Sequence, residues 1–411
     1  MLRNNIFLLV IIICISFTSA FSQNNSFVSV KGKEIIGRDG KPLIIRGTNV
    51  GNWLVPEGYM FKLSKTYSSP TNINILFSQI IGPEDTKKFW RRFLDEYITY
   101  EDVKYMKSLG MNTIRVPFHY KLFTQDEYMG SANSNEGFML LDRIIGWCKK
   151  EGLYVILDMH CAPGGQTGDN IDDSYGYPWL YESPELKNLT IDIWKKIAEY
   201  YRNDETVMGY DLLNEPIAHY FDASKLNPYL EPLYKDIVKA IREKDNNHLI
   251  FLGGAQWNTN FDVFGTPFDN KLVYTFHLYW CDTTQKVIEK FVAFRDKYNV
   301  PIYIGETGEN TDEWVKSFRI LLERNNIGWT YWPYKKLENK KGIVDFNFPE
   351  NYDMIIKYSE VASLNYEEIR KNCPTDREKI KIALDGFIEN CKYKNCRPNA
   401  GYIKALGLKA E

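Results

Sequence analysis

In the stretch Val207-Met-Gly-Tyr-Asp-Leu-Leu-Asn-Glu-Pro216, and again in Val300-Pro-Ile-Tyr-Ile-Gly-Glu306, a short apolar run ends in a glutamate. Both runs are rich in Val, Ile, Leu and Tyr, a composition typical of buried strands. Parallel α/β barrels carry their functional groups at the carboxyl ends of such strands. Glu215 and Glu306 are therefore predicted to lie at one end of a barrel, although either glutamate alone could be an ordinary loop residue.

The rest of the chain repeats the same unit of strand and helix. Alternating strands and helices predict a parallel sheet, and eight repeats predict that it closes, so we expect a single α/β (β/α)8 TIM barrel over residues 23–365. An open doubly wound sheet is the alternative, but no Gly-x-Gly-x-x-Gly turn follows the first strand. The predicted strands are Leu43–Arg46, Thr113–Val116, Tyr154–Asp158, Gly209–Leu213, Leu249–Leu252, Leu272–Phe276, Ile302–Gly305 and Gly328–Trp332. Helical patterns cover Tyr97–Leu109, Leu140–Lys150, Leu189–Tyr201, Tyr229–Glu243, Gln285–Tyr298, Asp312–Arg324 and Tyr352–Leu364, and the gap between residues 252 and 272 is the poorest helix.

Segments at both ends of the chain lie outside the eightfold pattern. Residues 1–22 are predicted to be a signal peptide, because Arg3 precedes an apolar core at Ile6–Ile15 that is too short to span a membrane. The expected location is therefore secreted or periplasmic, with no transmembrane anchor after cleavage. Two alternating runs within Phe27–Pro42 predict a hairpin. Residues 366–411 are predicted to form a C-terminal helical extension packed on the barrel.

The cysteines allow more than one disulfide arrangement, because an exported protein can form them. Cys148 falls in a helical pattern and is predicted to be a buried thiol. Cys161 and Cys281 each follow a predicted strand, so they could lie near each other at the rim of the barrel. One disulfide is expected within the C-terminal extension, with the pairing left open among Cys373, Cys391 and Cys396.

Composition excludes several classes of protein. The 411 residues are 44% hydrophobic and 15% aromatic, which supports a large core and argues against disorder. The formal net charge of −2 gives no reason to expect a nucleic-acid partner. No His-Glu-x-x-His or Cys-x-x-Cys spacing is present, so we expect no metal and no cofactor. A monomer is expected.

Polar and aromatic residues follow the predicted strands in a consistent order. Arg115 lies near the end of the second strand, His160 follows the third, and Asn214 precedes Glu215 after the fourth. The last three strands add His277 with Tyr279, then Glu306, and then Trp332. Each residue alone has an ordinary structural explanation, such as a salt bridge for Arg115 or a helix cap for Asn214. Their occurrence together on successive strand ends predicts one shared site.

This set of residues resembles glycoside hydrolase family 5, the retaining β-glycanases, over roughly residues 30–335. The Asn-Glu-Pro, His-x-Tyr and Gly-Glu motifs and the late tryptophan occur in the order of that family. Within the family, the stretch Arg46-Gly-Thr-Asn-Val-Gly-Asn-Trp-Leu54 is similar to the exo-β-1,3-glucanase branch. The motif His160-x-x-Pro-Gly-Gly-Gln166 is similar to that branch as well, whereas the rest of the chain departs from it.

The resemblance implies a role for each residue at the strand ends. Glu306 is expected to be the nucleophile and Glu215 the acid/base. Glu309 is a rival nucleophile, but the strand pattern stops before it and places it farther out on the loop. The expected substrate-binding residues are Arg115 and Tyr279, which would keep Glu306 ionised, Asn214 for the sugar 2-hydroxyl, His160 and His277 for positioning, and Trp332 as the floor of the reacting subsite.

The substrate implied by the resemblance is a β-glucan-type polysaccharide or oligosaccharide. Mannan, xyloglucan and a glycosylated lipid remain alternatives, as does a transglycosylase that uses the same residues. A non-catalytic carbohydrate-binding barrel would lack one of the two glutamates, and both are present. The loop Ala162–Tyr181 could close one end of the cleft, which would favour exo over endo action. Further aromatic residues that could line subsites are Trp53, Trp179, Trp257 and Trp280.

Overall fold

The structure is a computed structural model that describes residues 27–409, so the expected signal peptide at residues 1–22 lies outside the described part. The described chain begins with a hairpin in which β1 (Ser29–Lys31) pairs antiparallel with β2 (Glu34–Ile36). This confirms the predicted N-terminal hairpin. Leu43 N donates to Ile35 O (2.8 Å), which ties the following residues to the hairpin before the chain enters the barrel.

Eight parallel strands close into a barrel, which confirms the (β/α)8 prediction. The first strand begins at Arg46 and not at Leu43, because the Leu43 N–H still bonds to the hairpin. Each strand pairs with the next one along the chain, and the last pairs with the first. The strands are β3 (Arg46–Asn49), β4 (Thr113–His119), β5 (Tyr154–Cys161), β6 (Val207–Asp211), β7 (Leu249–Gly253), β8 (Leu272–His277), β9 (Ile302–Glu306) and β10 (Gly328–Tyr331).

Helices surround the barrel, and two of them were not predicted. Both lie between β3 and β4, where Ser69 caps the helix that starts at Pro70, and Gly82 separates it from the next helix. In the gap predicted to be the poorest helix, only a short segment with left-handed residues is present. None of the described helices is long and apolar enough to cross a membrane. The helices are α1 (Pro70–Ile81), α2 (Pro83–Glu96), α3 (Tyr100–Ser108), α4 (Glu136–Glu151), α5 (Pro184–Tyr201), α6 (Ala223–Arg242), α7 (Ala255–Asn258), α8 (Gln285–Tyr298), α9 (Asp312–Arg324), α10 (Tyr352–Val361), α11 (Tyr366–Asn372), α12 (Arg377–Cys391) and α13 (Ala400–Ala405).

The C-terminal part of the chain packs against the barrel in two places. Helix α12 packs on α1, α2 and α10, and α13 packs on α9. A small sheet joins the extension to the segment after the barrel: β11 (Lys335–Leu337) pairs with β12 (Val344–Phe346), which pairs with β13 (Arg397–Pro398). Beneath this sheet, the buried Lys335 forms an ion pair with Asp102 (2.8 Å).

The six cysteines among the described residues are free thiols, so the disulfide expected among Cys373, Cys391 and Cys396 is not formed. Cys391 points into its own helix, where Sγ donates to Ile388 O (3.2 Å). Cys373 Sγ instead donates to Gln79 O (3.3 Å) on another helix, so the thiols face different groups. The remaining four free thiols are Cys148, which is buried as predicted, Cys161, Cys281 and Cys396.

Candidate active site

Arg115 lies on β4 at the centre of the barrel and is fully buried. Its Nη1 donates to Glu306 Oε1 (2.6 Å) and to Asn49 Oδ1 (3.0 Å). Because a guanidinium has five donors in a fixed fork, one arginine can bind several acceptors from different strands at once. The remaining contacts are Nε to Asp211 Oδ2 (2.8 Å), Nη2 to Asn214 Oδ1 (2.9 Å) and Nη2 to Asp158 Oδ1 (2.9 Å).

The charges around Arg115 keep it a cation. Burial alone would lower its pKa, but the carboxylates of Asp158, Asp211 and Glu306 raise the pKa well above its usual value. Burial raises the pKa of Asp158 and of Asp211 to about 7, and Arg115 opposes the rise in each case. The site therefore has one fixed positive charge beneath it, on Arg115, and carboxylates from three strands surround that charge.

Glu306 ends β9 and presents its carboxylate to two donors. Oε1 accepts from Arg115, and Oε2 accepts from Tyr279 Oη (3.1 Å). Burial raises the pKa of Glu306, and the Arg115 guanidinium opposes that rise. The preceding Gly305 lets His277 pack beside it, because a Cβ there would lie 2.8 Å from His277 Nε2. Both donors bind the ionised form of Glu306, so the anion is the form that this arrangement stabilises.

Glu215 stands on a tight turn after β6, with a φ of +46° that non-glycine residues rarely adopt. The loop Ala162–Tyr181 holds this turn, because Gln166 Nε2 donates to Asn214 O (2.7 Å) and Thr167 Oγ1 donates to Glu215 O (2.8 Å). Burial, and then the nearby charge of Glu306, raise the pKa of Glu215 well above its usual value. At neutral pH the proton therefore favours Glu215 over Glu306.

The two carboxylates are close enough to act on one bond. Oxygens of Glu215 and Glu306 and the Nδ1 atom of His277 all lie within 4.8 Å of one another. His277 Nδ1 is 2.9 Å from Glu215 Oε1 and 3.8 Å from Glu306 Oε2. Burial lowers the pKa of His277 well below its usual value, so the ring is neutral. Retaining glycosidases separate their carboxyl groups by roughly 5–5.5 Å, whereas inverting ones need roughly 6.5–9.5 Å.

Among the residues that the structure describes, these same three side chains could together offer ligand atoms to a metal ion. A histidine with two carboxylates is a reasonable donor set for a divalent cation. However, Glu306 already faces the Arg115 guanidinium at 2.6 Å, and that positive charge opposes a second one.

His160, Asn214 and Trp332 form one side of the site. His160 Nδ1 lies 2.7 Å from Asp158 Oδ2, and its Nε2 lies 3.3 Å from Asn214 Nδ2. Burial lowers the pKa of His160 to about 3, so this ring is neutral as well. The ring stacks on Trp332 with centroids 5.6 Å apart and planes 8° from parallel. Trp332 Nε1 donates to Tyr59 Oη (2.7 Å), so the indole is held on its face and at its edge.

An open cleft of about 580 Å³ lies above these residues. The structure brings all eight predicted site residues together: six line the cleft, while Arg115 and Asn214 lie beneath it. Glu309 also lines the cleft, but its carboxylate is engaged by Lys336. The lining residues are Glu57, Tyr59, His160, Asp169, Asn170, Ile171, Glu215, Trp257, Thr259, His277, Leu278, Tyr279, Trp280, Glu306, Glu309 and Trp332.

Sequence reasoning missed several residues of this site. Glu57 and Tyr59 follow β3 and line the cleft, and Asn49 binds Arg115 from below. Burial, and then Glu306 and Glu309, raise the pKa of Glu57 well above its usual value. Of these three residues, only Asn49 could have been predicted from the sequence, because it lies in the Arg46–Leu54 stretch that resembles the exo-β-1,3-glucanase branch.

The four tryptophans considered for subsites divide evenly. Trp257 and Trp280 line the cleft, and Trp280 is 73% exposed. Trp53 is fully buried, and its Nε1 donates to Leu94 O (3.0 Å), so it belongs to the core. Trp179 is exposed but lies away from the cleft, beside Tyr177.

The loop Ala162–Tyr181 contributes one wall of the cleft through its central residues. Asp169 and Asn170 line the cleft, and Tyr220 Oη donates to Asp169 Oδ2 (2.7 Å) from the neighbouring loop. Asp173 fastens the same loop to α1, because Thr71 N and Oγ1 donate to its two oxygens. The loop is therefore held to the barrel on both sides of the cleft wall.

Comparison with known proteins assigns the barrel to a family. Residues 79–338, more than half of the chain, match the family described as Cellulase (glycosyl hydrolase family 5). A β-xylosidase of Phanerodontia chrysosporium is 32% identical over 244 residues, which cover 58% of this chain and 48% of that protein. Endoglucanase C of Acetivibrio thermocellus is 27% identical over 312 residues, which cover 61% of this chain and 88% of that protein. The chain thus spans about half the length of the first relative and most of the second.

The architecture is shared with solved structures. A rutinosidase from Aspergillus niger superposes with a TM-score of 0.56 at 17% identity, covering 72% of this chain and 90% of that one. At that identity the likeness concerns the fold alone.

Proposed function

The chain belongs to glycosyl hydrolase family 5, and on that premise we propose that it is a retaining enzyme that hydrolyses β-glucosidic bonds in a β-glucan by double displacement. The observation that carries the proposal is the placement of Glu215 and Glu306, whose oxygens lie within 4.8 Å of each other in an open cleft. The mechanism needs one ionised and one protonated carboxyl group. Glu306 contacts the Arg115 cation, which favours its ionised form, whereas Glu215 contacts the neutral His277 ring.

In the first step, Glu306 attacks the anomeric carbon of the sugar while the glycosidic bond breaks. The leaving oxygen takes the proton of Glu215, which becomes a carboxylate, and the sugar is left as an ester of Glu306. The raised pKa of Glu215 supplies that proton near neutral pH. Arg115 and Tyr279 hold the attacking carboxylate in place, and His277 orients Glu215.

In the second step, the Glu215 carboxylate takes a proton from water, and the oxygen of that water attacks the anomeric carbon. Glu306 leaves as a carboxylate, Glu215 regains its proton, and the sugar keeps its β configuration. The pKa of Glu215 falls once Glu306 is esterified, because the neighbouring negative charge that raised it is gone. The same residue can therefore act as acid and then as base.

Substrate and binding roles are further parts of the proposal. We assign Asn214 to the sugar 2-hydroxyl, His160 to positioning the sugar, and Trp332 to the floor of the reacting subsite. A β-glucan is favoured because a relative named endoglucanase aligns over most of its length. Mannan, xyloglucan and a glycosylated lipid remain alternative substrates to be tested, and the relative named β-xylosidase is the reason to test xylan as well. Transglycosylation remains the alternative reaction.

The proposal also includes export, which the pattern of Arg3 followed by the apolar core Ile6–Ile15 supports. We further propose that the protein is a monomer. N-terminal sequencing of exported protein should begin near Phe21 or Gln23, and recovery of Met1 would contradict cleavage. A molar mass measured by light scattering that exceeds one chain would contradict the monomer.

The test of the proposed function is a panel of laminarin, lichenan, carboxymethylcellulose, xyloglucan, xylan and mannan with product sizing. We expect turnover of at least one β-glucan, and NMR of the first products should show β-anomers. Products longer than the substrate at high substrate concentration would identify a transglycosylase. Initial α-anomers, or no turnover of any glycan, would contradict the proposal.

A further inference from the structure

Strand β11 carries two consecutive buried lysines, Lys335 and Lys336, and each has a carboxylate partner. Lys335 pairs with Asp102 and also donates to Cys391 O (2.8 Å) in the C-terminal extension. Lys336 pairs with Glu309 at the edge of the cleft. Lysines are almost never buried without a partner. One lysine of this strand, Lys335, therefore binds the C-terminal extension, and the other, Lys336, binds a residue at the edge of the cleft.

The Lys336 pair continues into the cleft through Tyr59. Lys336 Nζ lies 4.6 Å from the centre of the Tyr59 ring, close enough for a cation–π contact. Tyr59 Oη lies 3.5 Å from Glu309 Oε2, the outer limit of a hydrogen bond, and accepts from Trp332 Nε1 (2.7 Å). Four side chains thus form a continuous path from β11 to the indole ring.

Tyr59 needs such contacts to hold one orientation, because its side chain is 38% exposed. A partly exposed tyrosine has little packing to select among its rotamers. Its hydroxyl stays protonated, since desolvation at the hydroxyl end of the side chain and then the nearby Glu57 raise its pKa well above the usual value. The hydroxyl can therefore donate toward Glu309 while it accepts from Trp332.

We propose that Lys336 and Glu309 are positioning residues whose ion pair fixes Tyr59 and, through it, the indole of Trp332 in the reacting subsite. This inference rests on the proposed function for its effect on catalysis. It gives Glu309 a role other than that of a rival nucleophile. It also links the C-terminal extension to the cleft, because Lys335 holds the same strand in place.

The effect on turnover follows from the precision that a reacting sugar requires. A misplacement of about 1 Å can cost up to roughly a hundredfold in rate. Loss of the pair also leaves one charge unpaired in a partly buried place, which favours rearrangement of its neighbours. We therefore expect single variants of the pair to displace the indole without unfolding the barrel.

The test compares Lys336→Met, Glu309→Gln and the double variant with Lys340→Met, a matched change at an exposed lysine on the loop after β11. Glu309→Gln is nearly isosteric, so it should fold even if Lys336→Met does not. Two quantities are measured for each full-length protein. One is kcat and KM on the glycan that the panel identifies, and the other is the Trp332 indole NH signal in ¹⁵N NMR, assigned with Trp332→Phe.

We expect each single variant to shift or broaden the Trp332 indole signal and to lower kcat/KM by between about tenfold and a hundredfold. The double variant should be no worse than the poorer single variant, because both changes remove the same interaction. Lys340→Met should match the wild type in both measurements.

An unchanged Trp332 signal in both single variants would overturn the inference, whatever happens to kcat/KM. A shifted signal with kcat/KM within about twofold of wild type would also overturn it, since positioning would then not matter to the reaction. If the wild type turns over no glycan, the proposed function fails, and the indole signal alone still decides whether the pair orients Trp332.

Discussion

The indole ring of Trp332 occupies the space that a side chain on Gly51 would fill: a Cβ on Gly51 would lie 2.4 Å from Cη2 of the indole. The ring reaches this place between His160, which stacks on it, and Tyr59, which accepts its N–H. The absence of a side chain on Gly51 therefore leaves the room that the indole occupies at the floor of the cleft.

Gly51→Ala should lower kcat/KM between about tenfold and a hundredfold, because the added methyl must displace the indole from its place. The measurement is steady-state kinetics beside thermal unfolding. Gly146→Ala is the matched control, since a Cβ there meets no atom within 4 Å in helix α4. Equal activity of the Gly51 variant and the control would show that Trp332 does not need this position.

Trp332→Ala should weaken turnover more than folding, whereas Trp53→Ala should do the reverse. A sugar stacked on an aromatic face gains roughly 1 kcal/mol by analogy with aromatic pairs. The fully buried Trp53 ring instead stabilises the fold by about 3–5 kcal/mol. Denaturant unfolding and kinetics on the folded fraction separate the two effects. Unfolding of the Trp332 variant with unchanged specific activity would make Trp332 a core residue.

The alkaline limb of the kcat/KM profile should lie well above the range of an ordinary glutamate. Glu215 must be protonated to act as the acid, and its pKa is raised by burial and by Glu306. Activity is therefore retained until the pH rises through that raised pKa, and is lost above it. In Glu306→Gln the negative charge is gone, so ¹³C NMR titration should show a lower pKa for Glu215. A pKa equal to that of the wild type would mean that the two carboxylates do not interact.

Activity should survive exhaustive chelation, even though Glu215, His277 and Glu306 could offer ligands to a cation. Two carboxylates suffice for double displacement, and Arg115 already supplies the positive charge beside Glu306. Turnover is measured after dialysis against EDTA. Loss of activity that zinc or calcium restores would place a metal in the reaction.

Sequence alone predicted the barrel strands well, because strands buried on both faces give continuous apolar runs that need no tertiary information. The catalytic pair was predictable for the same reason, since Glu215 and Glu306 each follow such a run directly. Glu57 and Tyr59 were not, because Glu57 precedes and Tyr59 lies in a single 3-10 turn at Gly58–Phe61, which is too short to give a periodic pattern.

Charged residues far apart in sequence were the least predictable part of the site. The pairing of Glu309 with Lys336 joins the loop after β9 to β11, and no local pattern indicates it. The C-terminal cysteines show the same limit, since their spacing allowed a disulfide while Cys373 and Cys391 face different groups.

The central claim is that Glu306 attacks the sugar and Glu215 transfers the proton, and azide rescue tests it most directly. Glu306→Gly opens a space on the face opposite the leaving group, so azide should displace an activated aryl β-glycoside directly and give an α-glycosyl azide. Glu215→Ala should still form the ester with Glu306, which azide then attacks to give a β-glycosyl azide. Glu309→Gly should lose activity only through the displaced Trp332, so azide should neither restore that activity nor give an azide product. Exchanged products would reverse the two roles, and rescue at Glu309 alone would contradict the account.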